Sequence, residues 1–562
     1  MDNRKPLLIG QSDFGKLRQK GGYYIDKSLF IQEITENGMQ VVLLPRPRRF
    51  GKTLNMSMLQ YFFEKSEHEY AHLFNGLAIC DTAVFREHQG RYPLICLTFK
   101  DQKELSWKML FQRLRHLIRD EFVRHEYLLQ TDILASSEKR YFKGIIDDTA
   151  KQADYSDALR YLSAFLYRFH KEEVVILIDE YDTPIQAGYL SGYYEEVINF
   201  MRNLLSGGLK DNKYLFKGVL TGILRVAKES VFSSLNNLGV CTLLSKEFNT
   251  CFGFTVDEVK AMLEYYDLSE TYEDVALWYN GYLFGGEVIY NPWSVLNYAL
   301  SKDRQFRSYW LNTGSMDILE QLVTRGGSEL REELEQLLAG DIITRRVYDS
   351  IVMRDLDKSD DLLWSFLLFS GYLKSGDRLG RRNSYELMIP NEEVRLVYED
   401  MIERWFKQKV KVSQLEAMLT ALESGDVRLF ERMLRTVVKE IMSYHDLSRQ
   451  PESVYQALVL GMLVWLSPKY EIRTNRESGY GRYDMMFKPR QAEDGEDKSI
   501  RRGIILEFKQ VYDDEKPETV LEGALKQIRD KAYTTELEAA GVKEILRLAI
   551  AFRGKEMWLK QG

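Results

Sequence analysis

Cysteine and histidine are scarce: four and seven in 562 residues. Cys80, Cys96, Cys241 and Cys251 form no C-x-x-C pair, so neither a zinc ribbon nor a dithiol redox motif is expected. Buried, reduced thiols of a cytosolic protein are the simpler expectation. The N-terminal MDNRKPLLIG lacks the apolar centre of a signal peptide, and no apolar run is long enough to span a bilayer. The expectation is a soluble, cytoplasmic protein without a membrane partner. Excess positive charge is also absent. The net charge is −7, so any contact with nucleic acid must use local basic patches. What remains is an ordinary globular balance, 45% hydrophobic and 29% charged, with length for about three or four domains.

Residues 41–63, VVLLPRPRRFGKTLNMSMLQYFF, organise the chain. The apolar run Val41–Leu44 reads as a buried strand, followed by a Pro/Arg-rich turn, Gly51-Lys52-Thr53 and an apolar helical pattern. Strand, loop, Gly-Lys-Thr and helix form the context of a phosphate-binding loop. The helix start offers backbone N–H groups and the positive end of its dipole to an anion. Lys52 would reach the β- and γ-phosphates of a nucleotide and Thr53 would hold Mg²⁺. The first glycine of the usual loop is Arg46 here, and Pro47 has no N–H to donate. The nearest donors would come from Arg49, Phe50, Gly51, Lys52 and Thr53.

Before this loop, Asp13-Phe14 opens a helix, Gly21-Gly22 breaks it, Tyr23–Ile25 reads as a short strand and Asp26 as a cap. Such a segment often covers a nucleotide base, or Tyr24 and Asp26 simply pack. YPLICLTFKD (92–101) is a second buried strand, and a long helical stretch runs over 104–170. In EEVVILIDEYDTPI, five apolar residues end in Asp179-Glu180, a strand that brings a carboxylate beside the loop. Asp179 would bind the Mg²⁺ water shell and Glu180 would act as general base, with Asp182 a weaker candidate. The strand LFKGVLTGI (215–223) offers Thr221 as a sensor and Arg225 as a charge stabiliser, or only as a strand cap and a surface ion pair. Residues 251–315 suggest helices with a hairpin from Gly281 to Asn291. Residues 316–450 read as amphipathic helices with a short sheet around 367–391, and the helix-then-hairpin order of 362–376 fits a small winged-helix-like unit.

The last 112 residues change character, with equal numbers of basic and acidic side chains in an otherwise acidic chain. Their pattern is a helix (453–466), strands (470–476, 482–488, 503–510), a helix (517–538) and a strand (546–552). Asp484 and Glu507 on adjacent strands would share a divalent metal with the Phe508 carbonyl, and Lys509 would orient or deprotonate a water. Glu452 would add a ligand, while Gln527 and Tyr533 on the following helix would position the lysine or the phosphate. The alternative is an ordinary Glu–Lys ladder on a half-buried strand.

Together, IGQSDFGKLRQKGGYYIDKS, LPRPRRFGKTLNMSML, ILIDEYDTPI, LTGILRVAKESVFSSLNNL, WYNGYLFG, YNPWSVLNY, IPNEEV, NRESGYGRYDMMF and ILEFK resemble one family. It is the predicted bacterial AAA-ATPase-like proteins that carry a C-terminal PD-(D/E)XK nuclease-superfamily domain. In that family the loop reads R-P-R-R-F-G-K-[ST], so Arg46 in place of glycine is a family trait. The resemblance implies ATP binding at Gly51, Lys52, Thr53 and Asp179. It also implies a nuclease fold with Asp484, Glu507 and Lys509 in matching positions and Tyr483 in place of the usual proline.

The expected architecture is α/β. A P-loop NTPase sheet of the additional-strand class occupies 1–250, a helical lid or linker 251–450, and a restriction-endonuclease-like domain 451–562. The expected activity is ATP hydrolysis coupled to a Mg²⁺- or Mn²⁺-dependent nuclease. Nucleic acid is the expected partner, DNA favoured over RNA, with self-association an option and a role in defence or mobile-element biology. The alternatives are a regulatory NTPase switch, or an interaction protein, whose nuclease fold does not cleave.

Overall fold

The computed structural model describes every residue except 1–3, 226–231, 233–234, 311–327, 339, 352, 381–382, 408–411, 445–465, 467–468, 475–476, 479–480, 483–484, 491–501, 513–514, 531–532 and 554–555. Two compact units result: Met1–Ile318 with Thr344–Val394, and Leu319–Ile343 with Arg395–Gly562. Residues 251–310 thus fold with the first unit.

The first unit is built on a parallel sheet of β1 (Val41–Pro45), β2 (Leu94–Thr98), β3 (Val174–Asp179), β4 (Leu215–Gly222) and β5 (Leu238–Val240), ordered β2-β3-β4-β1-β5. β1 and β3 are buried at every position. Their unbroken apolar runs are what a central strand covered by helices on both faces requires. β4 lies between the strand that leads into the loop and the strand that ends in Asp179, as expected of an additional-strand sheet. Its register, Leu44 opposite Thr221 and Ile178 opposite Leu220, brings the carboxyl ends of three strands level. In open α/β sheets, ligands bind beyond those ends.

Ahead of the sheet, α1 (Phe14–Gln19) is capped by the Asp13 carboxylate, which accepts the Lys16 N–H at 2.8 Å. Tyr23–Ile25 is not a strand, and the Tyr23 N–H donates to the Pro6 carbonyl at 2.9 Å. Ser28, not Asp26, stands at the N-cap of α2 (Leu29–Glu36). The Asp26 carboxylate instead accepts the N–H groups of Ser28 and Ala78. The stretch expected as one long helical region is divided, with main helices at Trp107–Arg124, Ser136–Ile146 and Ala158–His170.

After β5, the short strand β6 (Phe254–Thr255) joins the hairpin β7 (Tyr282–Phe284) and β8 (Glu287–Tyr290). Gly285 and Gly286 both have positive φ (55° and 94°), which suits a two-residue hairpin turn. A further sheet, β10-β11-β9, comprises β9 (Ile343–Arg346), β10 (Lys374–Leu379) and β11 (Ser384–Met388), with the buried helix Asp360–Ser370 before its hairpin.

The second unit carries β12 (Tyr470–Thr474), the two-residue pair β13 (Glu477–Ser478) and β14 (Gly481–Arg482), then β15 (Met485–Pro489), β16 (Gly503–Gln510), β17 (Ile545–Arg553) and β18 (Glu556–Gln561). The main sheet is mixed, ordered β12-β15-β16-β17-β18, and only β16 and β17 pair in parallel. Leu521, Ala524, Leu525 and Ile528 of the helix Pro517–Asp530 pack on Ile505, Met486, Ala549 and Ala551. That helix ends eight residues short of the expected 538, and a separate helix, Thr535–Ala539, follows. β18 is a closing edge strand that the sequence pattern did not suggest. Of the expected helix at 453–466, residues 453–465 lie outside the described residues.

Candidate functional site

The loop after β1 closes around its own lysine. Arg49 (φ 70°) and Gly51 (φ 83°) are left-handed, and Gly51 is the N-cap of α3 (Lys52–Phe63). Left-handed residues two apart curve the backbone into the kind of concavity that binds anions. Lys52 Nζ donates to the carbonyls of Arg46 (2.9 Å) and Pro47 (2.8 Å). Burial pulls its ammonium below the usual lysine range, while Glu180, Asp179 and Asp182 oppose that shift.

Thr53 Oγ1 donates to Asp179 Oδ2 at 2.7 Å, and Thr221 Oγ1 donates to Asp179 Oδ1. One carboxylate at the end of β3 therefore ties the loop to β4. The Glu180 backbone is left-handed (φ 52°), an uncommon conformation for a non-glycine residue that its neighbours must hold in place. Its N–H reaches Thr221 Oγ1 at 3.4 Å, and the next N–H, of Tyr181, donates to the Thr221 carbonyl at 3.1 Å.

Arg46 explains how the loop does without its first glycine. The side chain is fully buried and donates to the carbonyls of Pro45, Cys241 and Phe248. Its guanidinium lies 5.4 Å from each of the Phe252 and Phe284 rings. Burial lowers its pKa to about 10. Phe50 packs on Tyr282 and Phe284 of the hairpin and accepts the Gly253 N–H at 3.1 Å. The loop is thus braced by residues 241–290.

Asp182 is buried as well. Its Oδ2 accepts the N–H groups of Ile223 and Leu224, each at 3.0 Å, and Gln186 Nε2 at 2.8 Å. Burial raises its pKa against those bonds. Asp182 anchors the chain leaving β4.

A cavity of about 410 Å³ opens over the loop. Arg48, Arg49, Lys52, Thr53 and Glu180 line one part, joined by Lys100 and Lys103 from beyond β2. Leu7, Ile9, Leu17, Tyr23, Phe254 and Leu296 supply apolar wall. Arg49 lies over the Trp293 ring, 4.0 Å from its centroid. A polyanion with an apolar ring attached matches this division of charge and surface. The donor set fits a nucleoside triphosphate with Mg²⁺: a helix N-terminus, a lysine, and a hydroxyl hydrogen-bonded to a carboxylate.

In the second unit, Glu507 is fully buried on β16, and Lys509 Nζ lies 2.7 Å from its Oε1. Alternation puts both on the face that carries Ile505. Met485, which follows Asp484 in the chain, stands opposite Leu506, which precedes Glu507. Asp484 and Glu452 lie outside the described residues, so their relation to Glu507 is not described. Among the described residues, no three His, Cys, Asp or Glu side chains gather as a metal cluster would. Tyr533 lies past the helix Pro517–Asp530, not on it, and Gln527 Nε2 donates to its hydroxyl at 2.8 Å.

Two family models match this chain. Residues 8–232 match the one described as predicted AAA-ATPase, and residues 450–562 the one described as PD-(D/E)XK nuclease superfamily. The chain joins an AAA-ATPase-like domain to a PD-(D/E)XK nuclease-superfamily domain. It is also similar to an uncharacterized protein in the vnfD 5′ region of Azotobacter chroococcum mcd 1. The two are 27% identical over 556 residues, 96% of this chain and 95% of that one.

Within the AAA-ATPase-like domain, the structure brings Arg49–Thr53, Asp179, Glu180 and Thr221 together. Arg225 is not among the cavity-lining residues, and its carbonyl accepts the Ile351 N–H at 3.0 Å. Tyr24 lines the cavity while its hydroxyl reaches Met58 Sδ, and Asp26 is not among the lining residues. Sequence reasoning missed Arg46, Trp293, Lys100 and Lys103. Arg46 stands in the loop itself, but its acceptors are distant in sequence, and the fold brings Trp293 and the pair Lys100 and Lys103 to the loop from two other stretches. Among the described residues, no helix is long and apolar enough to cross a membrane, and all four cysteines are free thiols.

Proposed function

We propose that the AAA-ATPase-like domain binds and hydrolyses ATP in the cavity over Lys52. We further propose that the nuclease-superfamily domain cleaves nucleic acid, DNA favoured, under the control of the nucleotide state. The observation that carries the first part is the Thr53–Asp179 hydrogen bond beside buried Lys52, inside a cavity rich in cations. Lys52 would exchange its two carbonyl acceptors for phosphate oxygens. Thr53 and Asp179 would hold Mg²⁺, and Thr221 would keep Asp179 oriented. Glu180 would take the proton of the attacking water.

In the nuclease-superfamily domain, Glu507 would hold Mg²⁺ or Mn²⁺ together with Asp484, and Glu452 would add a ligand. A divalent ion there supplies charge for the phosphodiester and a more acidic water. Lys509 would release Glu507 to the ion and turn to the water or the phosphate. The reading extends to a cytoplasmic role in defence or mobile-element biology, and self-association is compatible with it.

The test is incubation with labelled DNA and labelled RNA, with Mg²⁺ or Mn²⁺, each with and without ATP. Divalent-dependent cleavage that responds to ATP is expected, strongest on DNA. ATP turnover without cleavage in any arm would replace this reading with a nucleotide switch whose nuclease fold only binds.

A further inference from the structure

We propose that Lys103, with Arg48 beside it, is the charge-stabilising side chain for γ-phosphoryl transfer, so that each chain completes its own hydrolytic site. This deepens the ATP reading above and rests on it.

The geometry starts at β2. Thr98 stands opposite Asp179, and the Phe99 N–H donates to the Asp179 carbonyl at 2.9 Å, so the chain follows β3 to the point where Glu180 begins. A turn follows at once, with Gln102 N–H on the Phe99 carbonyl and Lys103 N–H on the Asp101 carbonyl, each at 3.0 Å. That turn holds Lys103 at the rim of the cavity that Lys52, Thr53 and Glu180 line. Lys103 is exposed there, yet its ammonium is held below the usual lysine range. The surrounding protein contributes most, then the charge of Arg48, with Glu180 and Asp101 opposing. Arg48 and Glu180 are likewise charged neighbours of Lys52 and Arg49. Lys52, Arg49 and Lys103 thus all feel the charge of the one carboxylate that the mechanism uses as a base, and Arg48 lines the same cavity.

Such a cluster repels itself until an anion enters. Lys52 accounts for the β- and γ-oxygens of a bound nucleotide, and Arg49 is stacked on Trp293. Lys103 and Arg48 line the same cavity as Glu180, the base that would activate the water. In hydrolysis the water oxygen bonds to the γ-phosphorus as the bond to the β–γ bridging oxygen breaks. That bond's electron pair leaves with the diphosphate, and the water proton goes to Glu180. Negative charge then spreads over the γ-oxygens, and a cation aimed there stabilises the transition state more than the ground state. AAA-type sites can recruit this cation from a neighbouring subunit, whereas here the turn after β2 supplies it in cis.

The test compares the full-length wild type with Lys103→Ala and Lys103→Arg. Calorimetry measures ADP affinity with and without aluminium fluoride, and steady-state turnover is measured over a wide range of protein concentration. Lys103→Ala should bind ADP within about twofold of wild type but lose roughly 10²-fold in turnover, the scale of one transition-state donor. It should also lose at least about tenfold in affinity for ADP with aluminium fluoride. Lys103→Arg should restore part of both. Wild-type turnover per chain should not change on dilution. If Lys103→Ala leaves turnover and the aluminium fluoride complex intact, or if wild-type activity falls on dilution, the stabilising cation comes from elsewhere and the proposal is wrong. Where turnover is undetectable, the aluminium fluoride affinities decide. Wild type that binds no nucleotide would overturn the ATP reading itself, a result distinct from both.

Discussion

The two candidate sites solve opposite electrostatic problems. In the first unit, Arg48, Arg49, Lys52, Lys100 and Lys103 line a cavity together with Glu180 and with Thr53, which is bonded to Asp179. In the second, Glu507 is buried on a strand and its cation, Lys509, comes from two residues along the same strand. One arrangement is poised for an anion and the other for a cation. Each meets its ligand's charge with an internal substitute: the loop carbonyls occupy Lys52, and Lys509 occupies Glu507. Both substitutes must move when a ligand binds, which ties ligand affinity to the loss of an internal bond.

The sharpest way to break this comparison is to exchange losses. Lys52→Ala should abolish nucleotide binding, measured by calorimetry, and leave basal divalent-dependent cleavage intact. Glu507→Ala should abolish cleavage and weaken divalent binding while ATP turnover stays at the wild-type level. Leaving Lys509 without its carboxylate should not unfold the domain, because the lysine is partly exposed. Cleavage that persists in the Glu507 variant would remove the metal-site assignment. Normal ATP affinity in the Lys52 variant would remove the loop assignment.

A smaller loss is expected from Glu180→Gln, which keeps ATP affinity but should slow hydrolysis by about 10²–10⁴-fold, the usual contribution of a general base. Its left-handed backbone and bonds to Thr221 are unaffected by the change, so slow turnover with normal binding would isolate the proton-transfer role. A wild-type rate would move the base elsewhere. Asp182 is a poor replacement, because its carboxylate is already held by Ile223, Leu224 and Gln186.

The same contrast explains what the sequence could reveal. Lys52 and Thr53 are adjacent, and Asp179-Glu180 end an apolar run, so local pattern sufficed to mark them and the strand between. Arg46 looked like a lost glycine because its acceptors, Cys241 and Phe248, lie about two hundred residues away. Arg225 lies three residues past β4 and drew attention by position alone, whereas Lys103 reaches the cavity only through the β2–β3 register. In the second unit, β16 was legible to the residue from its apolar run and Glu-x-Lys. β18 was not, since a polar edge strand carries a weak alternating signal. The apparent long helix at 517–538 is two helices, Pro517–Asp530 and Thr535–Ala539, whose apolar periodicity runs across the break, while Tyr533 between them is buried and bonded to Gln527.

The last prediction sets a buried carboxylate that has a cation against one that has none among the described residues. Glu393 is fully buried in the first unit. It accepts Ser294 Oγ–H and the N–H groups of Tyr309 (2.8 Å) and Trp310 (2.9 Å), all neutral donors. Burial raises its pKa to about 7, while those bonds pull it back. Its unfolded value lies near 4.3. Between these values the native state holds a proton that the unfolded chain has released. Glu393 therefore supports the fold most fully below the unfolded value, and that support is lost as pH rises towards 7 and above. The difference between pH 5 and pH 8 should be about 1–3 kcal/mol by this linkage. Asp182, also raised, acts in the same direction, so some slope should remain without Glu393. Glu393→Gln keeps the acceptor and removes the titration. Urea unfolding at the two pH values should show a shallower fall in the variant than in wild type, and equal slopes would mean that Glu393 is ionised throughout. Ser294 follows Trp293, the ring beneath Arg49, so ATP affinity measured in parallel would show whether this buried carboxylate also steadies the cavity wall.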